Sequence, residues 1–172
     1  LFKSKPVSTA PTPVKLYEDS GGDTPGLKGV DTAQAGFQGA IIEVRDGDKI
    51  QDAVKKANPG DLIRVYPGSY SETVYIDKDD ISLQGIIIEG EWPTLDGKKE
   101  LNDGFLYSGN GMIIENFKIM NYKGNGIMGQ AGNNFVIRNN WVVDAGVYGI
   151  FPEFGKNGLV EHNVLSGIED AA

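Results

Sequence analysis

A motif returns every 23 residues in the second half of this chain, and few folds can accommodate that. Gly111-Met-Ile-Ile-Glu-Asn-Phe117 is followed by Asn134-Phe-Val-Ile-Arg-Asn-Asn-Trp141 and then by Gly158-Leu-Val-Glu-His-Asn-Val164. Ile114, Ile137 and Val160 fall in step, and the pairs Gly126-Ile127 and Gly149-Ile150 keep the same spacing. A fixed period of this length means one supersecondary unit stacked on copies of itself. The apolar runs inside each period are only two or three β-favouring residues long, which leaves no room for a helix hairpin.

Each period offers three such runs. Met112-Ile-Ile114 is followed by Phe117-Lys-Ile119 and then by Gly126-Ile-Met128, and the next period repeats the order. Three short strands per period make one coil of a parallel β-helix, with coils roughly 4.8 Å apart along the axis. The expected class is all-β, a solenoid of about 23 residues per coil. Asn recurs at the corners, where it tolerates left-handed backbone and can bond to the Asn one coil above. Asn116, Asn140 and Asn163 are the expected rungs of a structural ladder. Strict register would align Asn116, Asn139 and His162 instead, so a one-residue slip or bulge is expected near Asn139-Asn140.

Upstream, Ile50, Ala53, Val54 and Ala57 share one helical face. Asp48 is a candidate N-cap, and Asn58-Pro59-Gly60 stops the helix. A capping helix near 48–58 would cover the sheet edge at the start of the coils.

With these residues in place, the chain resembles the right-handed parallel β-helix repeats of the pectate-lyase-like superfamily. The likeness covers roughly residues 40–172. It includes the opening segment 48–85, with its helix and first strands, and the corner Pro93-Thr-Leu-Asp-Gly97. Among such proteins it is closest to exported β-helix repeat proteins with a Tyr-Gly-Ile/Leu-Tyr/Phe-Pro step. The resemblance implies a right-handed coil and an extracytoplasmic location: periplasmic, cell-surface or secreted.

Residues 1–38 read as an extended Pro/Ser/Thr/Gly-rich tail, including Pro6-Val-Ser-Thr-Ala-Pro-Thr-Pro13. Residues 39–172 form the β-helix domain, with coils over 61–172. The tail suits a tether left after a signal or lipid-anchor segment is removed. At the other end the period stops in mid-coil at Ala172. A longer protein, or a partner chain over the open coil, is expected. The net charge of −8 and the dispersed Lys and Arg argue against nucleic acid. No run is long enough to span a membrane. With no Cys, thiolate metal sites and a Cys nucleophile are excluded.

The residues that could carry chemistry are few. Asp77, Asp79 and Asp80 are the densest carboxylate cluster, and a Ca²⁺ ion would favour such oxygens; a solvated corner between Ile76 and Ile81 is the competing explanation. His162, the single histidine, could act as a base near neutral pH. Tyr148-Gly-Ile-Phe-Pro-Glu153 is similar to the catalytic stretch of alginate-modifying epimerases, where an aromatic step precedes Asp-Pro-His. Tyr148, Gly149 and Pro152 match, while Phe151 takes the Asp position and Glu153 the His position. Tyr148, Glu153 and His162 are therefore the catalytic candidates. Tyr148 and Phe154 are the candidates for binding a sugar ring or a partner. Phe151, following Ile150, is expected in the core.

The functional expectation is an exported module that binds a glycan or docks a protein partner, without a complete catalytic site and without an obligatory cofactor. The alternative is a fragment of a lyase, epimerase or hydrolase acting on acidic polysaccharide.

Overall fold

The computed structural model describes residues 39–171. The tail expected over 1–38 lies outside the described residues. Three parallel sheets run along one axis. The first stacks β1 (Ile41–Val44), β2 (Leu62–Val65), β5 (Ser82–Gly85), β8 (Ile113–Glu115), β11 (Val136–Arg138) and β14 (Leu159–Glu161). The second stacks β3 (Gly68–Tyr70), β6 (Pro93–Asp96), β9 (Lys118–Met120), β12 (Trp141–Val143) and β15 (Val164–Ser166). The third stacks β4 (Val74–Ile76), β7 (Phe105–Tyr107), β10 (Ile127–Gly129) and β13 (Ile150–Pro152). Each coil visits the three sheets in turn, which makes the chain a parallel β-helix.

The period is 23 only in the later coils. In the first sheet Leu62 pairs with Ser82, Ser82 with Ile113, Ile113 with Val136 and Val136 with Leu159. These steps are 20, 31, 23 and 23 residues. The long coil makes room for an antiparallel bridge between Ile88 and Glu91. Inside, matching positions stack into apolar columns. Ile63, Leu83, Ile114 and Ile137 form one, all fully buried. Phe105 packs edge-on against Phe117 with centroids 5.0 Å apart.

The corners are columns of left-handed residues. Asp80, Gly111, Asn134 and Asn157 precede the first sheet, with φ of 54°, 66°, 58° and 55°. Asn116, Asn139 and His162 follow it, with φ of 65°, 59° and 52°. This is the strict 23-residue register, and the slip expected at Asn139-Asn140 does not occur. Two adjacent columns replace the single ladder. Asn139 Nδ2 donates to Asn116 Oδ1 at 3.0 Å. One position on, Asn140 Oδ1 accepts from the Phe117 amide, and Asn163 Oδ1 accepts from both the Asn140 amide and its Nδ2. Asn116 therefore partners Asn139, not Asn140. Both Asn139 and Asn140 are used because the corner has one position that needs φ > 0 and a neighbour whose side chain satisfies buried backbone.

The helix α1 runs over Ile50–Lys56 and buries Ile50, Ala53 and Val54. It lies between β1 and β2, so the first sheet starts before it. Asp48 is not its N-cap; its carboxylate accepts from the Arg45 amide in the preceding turn. Glu72 takes that role from the adjacent coil, accepting from the amides of Ile50 and Gln51 at 2.9 and 3.0 Å. At the other end Lys78 Nζ donates to the carbonyls of Val54, Lys55 and Ala57. An anion at the N-terminus and a cation at the C-terminus both oppose the unsatisfied helix ends. Gln51 completes the cap. Its side-chain amide donates to the Tyr75 carbonyl and accepts from the Tyr75 amide, as a neighbouring strand would on the free edge of β4.

Candidate functional site

The third sheet turns an in-register run of apolar side chains toward the outside of the coil. Val74, Phe105 and Ile127 point inward and are fully buried. Alternation then turns the next residue of each strand outward. In register these are Tyr75, Leu106, Met128 and Phe151. Tyr75 is 37% exposed and the other three are half-buried. Phe151 is thus not a core residue. Ile150, its neighbour in β13, continues the inward column of Ile127, and that places Phe151 outside.

Tyr148 adds to this stripe at its far end. Its ring centroid lies 4.5 Å from that of Phe151, tilted by 36°. Its amide donates to Asn125 Oδ1, and Asn125 Nδ2 donates to Asp103 Oδ1 at 2.6 Å. An Asp-Asn column therefore positions the tyrosine. Phe154 sits in the turn beyond β13, 79% exposed at a φ of 56°. Ser108, Gln130 and Glu153 follow β7, β10 and β13 at equivalent positions and place polar groups beside the stripe. The Tyr75 hydroxyl reaches Ser108 Oγ at 3.0 Å.

The remaining candidates do not gather here. His162 occupies the corner between the first and second sheets, with Nδ1 3.7 Å from Glu161 Oε2. Tyr148 and Glu153 thus flank β13, while His162 lies further along the coil, between β14 and β15. Asp79 Oδ1 accepts from the Asn110 amide and its Nδ2. Asn110 Oδ1 in turn accepts from the Asn133 amide. Asp80 holds a left-handed corner, and Asp77 is exposed. Among the described residues no group of three or more His, Cys, Asp or Glu is arranged to hold a metal ion. The Asp77, Asp79, Asp80 cluster is a corner and a ladder end. Among the described residues one cleft of about 400 Å³ lies beside α1 and another of about 380 Å³ lies around Arg45, Tyr66 and Ile88.

A polar column on the outward-pointing positions of the first sheet, buried at its centre, had no sequence signal. Glu43, Arg64, Gln84, Glu115, Arg138 and Glu161 stand in register across the whole first sheet. Glu115 Oε2 meets Arg138 Nε, and its Oε1 accepts from Gln84 Nε2 at 2.9 Å. The partners come from coils 23 and 31 residues apart, so the pairing is visible only once register is known. Beside it, Lys118 Nζ lies 4.3 Å from the Trp141 ring centroid.

Among the described residues no helix is long and apolar enough to cross a membrane. No curated protein and no solved structure matches the chain. The family model described as right handed beta helix region matches residues 35–172, and the chain belongs to that family.

Proposed function

We propose that this module works outside the cytoplasm and binds a polysaccharide along the outer face of the third sheet, without a complete catalytic site of its own. The observation that carries this reading is the column Tyr75–Leu106–Met128–Phe151, with Tyr148 stacked at its end. Sugar rings have apolar faces that stack on aromatic and apolar surfaces, while their hydroxyls bond to a polar rim. Successive coils rise by roughly 4.8 Å, a step comparable with one sugar ring. A glycan chain laid along the axis would meet one stripe residue per coil. Phe154 would extend the platform, and Ser108, Gln130 and Glu153 would supply the rim. With a net charge of −8, the protein would bind an acidic polysaccharide best with Ca²⁺ bridging the two. The Pro-rich segment 1–38 would hold the module at a surface.

A second reading, a docking role for a protein partner, draws on the last coil. Val160 is 46% exposed, although Ile114 and Ile137 in the same inward column are fully buried. A further coil or a partner chain stacking on β14 would cover it.

The deciding experiment offers pectate, alginate, other uronans and neutral glycans to the protein, with and without Ca²⁺, and follows both binding and products. Retention without turnover is the expected result. Unsaturated or epimerised product would establish the enzyme alternative, and retention of no glycan would sink the proposal.

A further inference from the structure

The chain contains three Asn-Gly steps: Asn110-Gly111, Asn125-Gly126 and Asn157-Gly158. Such a step can rearrange without an enzyme. The glycine amide nitrogen attacks the Asn Cγ, a C–N bond forms to close a five-membered imide, and the side-chain nitrogen leaves as ammonia. Water then opens the imide at either carbonyl, giving aspartate or a β-linked isoaspartate. The reaction needs a side-chain amide free to turn and a glycine nitrogen free to approach it.

The ladders deny both requirements at two of the steps. Asn110 Nδ2 donates to Asp79 and its Oδ1 accepts from Asn133, while the Gly111 amide donates to the Asn133 carbonyl at 2.8 Å. Asn125 Nδ2 donates to Asp103 and its Oδ1 accepts from the Tyr148 amide, while the Gly126 amide donates to the Tyr148 carbonyl at 3.0 Å. Asn157 differs. Like Asn134 one coil back, it is an exposed member of the left-handed column at the start of the first sheet. Among the described residues neither its side chain nor the Gly158 amide has a hydrogen-bond partner.

We infer that Asn157-Gly158 is the deamidation site of the folded protein, and that the change loosens the coil that carries it. Gly158 has no room to move inward, because a side chain there would overlap the Phe135 ring. A β-linkage adds one backbone atom next to that contact, immediately before the Leu159 amide that donates to the Phe135 carbonyl at 2.9 Å. The strand β14 would lose register with β11.

The test incubates folded and denatured protein at mildly alkaline pH and maps peptides by mass spectrometry. In the denatured chain all three steps should convert at similar rates. In the folded protein Asn157 should convert at close to its denatured rate. Asn110 and Asn125 should be slower by about tenfold or more, the effect of breaking one or two ladder bonds before reaction. Amide exchange at Leu159 should speed up in the converted fraction, and Asn157→Gln should abolish that change. Equal protection of all three steps in the fold, or conversion at Asn110 or Asn125 ahead of Asn157, would overturn the inference.

Discussion

Arg138 Nε lies 2.6 Å from Glu115 Oε2, and the two side chains are only 4% and 6% exposed. An ion pair taken out of water is not itself strong evidence of stability, but removing one partner strands the other charge. Arg138→Leu or Glu115→Leu alone should cost about 3–5 kcal/mol. The double substitution should cost clearly less than the sum of the two. A double-mutant cycle by denaturant unfolding measures this; additive losses would show that the pair is not coupled.

The Asn columns make a second prediction. Asn140 is fully buried, and its side chain satisfies the Phe117 amide and the Ile114 carbonyl. Asn140→Ala leaves both without partners and should cost about 1–3 kcal/mol for each group stranded. Asn163→Ala should cost less, because its coil is more exposed. Thermal unfolding of the two variants ranks them.

Tyr107 Oη is buried with no hydrogen-bond partner. Burial pushes its hydroxyl pKa upward, as it does for Tyr122, and Tyr70 is pushed up to about 12, first by burial and then by Asp46, Asp48 and Glu72. In each case the fold favours the neutral phenol. The stability this provides is complete below the unfolded value of 10.0 and is lost as pH climbs toward the folded values. Unfolding midpoints should therefore be flat up to about pH 10 and fall above it. Tyr107→Phe removes an unsatisfied group, so it should be neutral or stabilising by about 1 kcal/mol and should weaken the alkaline fall. A loss of stability would reveal a partner for the hydroxyl.

Glu72 and Lys78 hold the two ends of α1 from the next coil. Glu72→Ala should cost about 0.5–2 kcal/mol, the range for a lost cap. Hydrogen exchange should quicken at the Ile50 and Gln51 amides while the amides of β8 and β11 stay protected. Uniform deprotection would mean that the cap nucleates the whole coil stack.

The later coils were legible from sequence because three inward columns repeat at one fixed step. Ile114, Ile137 and Val160 carry the same pattern with no insertion between them. The early coils were not legible. Their steps of 20 and 31 residues hide the period, and only strand pairing reveals that Leu83 and Ile114 are neighbours. The side on which Phe151 lies was missed for a related reason. Both Ile150 and Phe151 are apolar, so alternation is silent until Ile150 is paired with Ile127. The Glu115–Arg138 pair, the Glu72 cap and the Asp79–Asn110–Asn133 ladder join residues more than 20 positions apart, and none leaves a local pattern.

Glycan binding by the outer stripe of the third sheet is tested most directly by an affinity comparison. Wild-type protein, Phe151→Ala and Ile88→Ala are titrated by calorimetry with the polysaccharide the protein retains. Ile88 is 46% exposed on the inserted bridge rather than on the stripe. The predicted result is a loss of about tenfold, about 1.4 kcal/mol, for Phe151→Ala with no change for Ile88→Ala. Equal affinity for wild type and Phe151→Ala would contradict the claim.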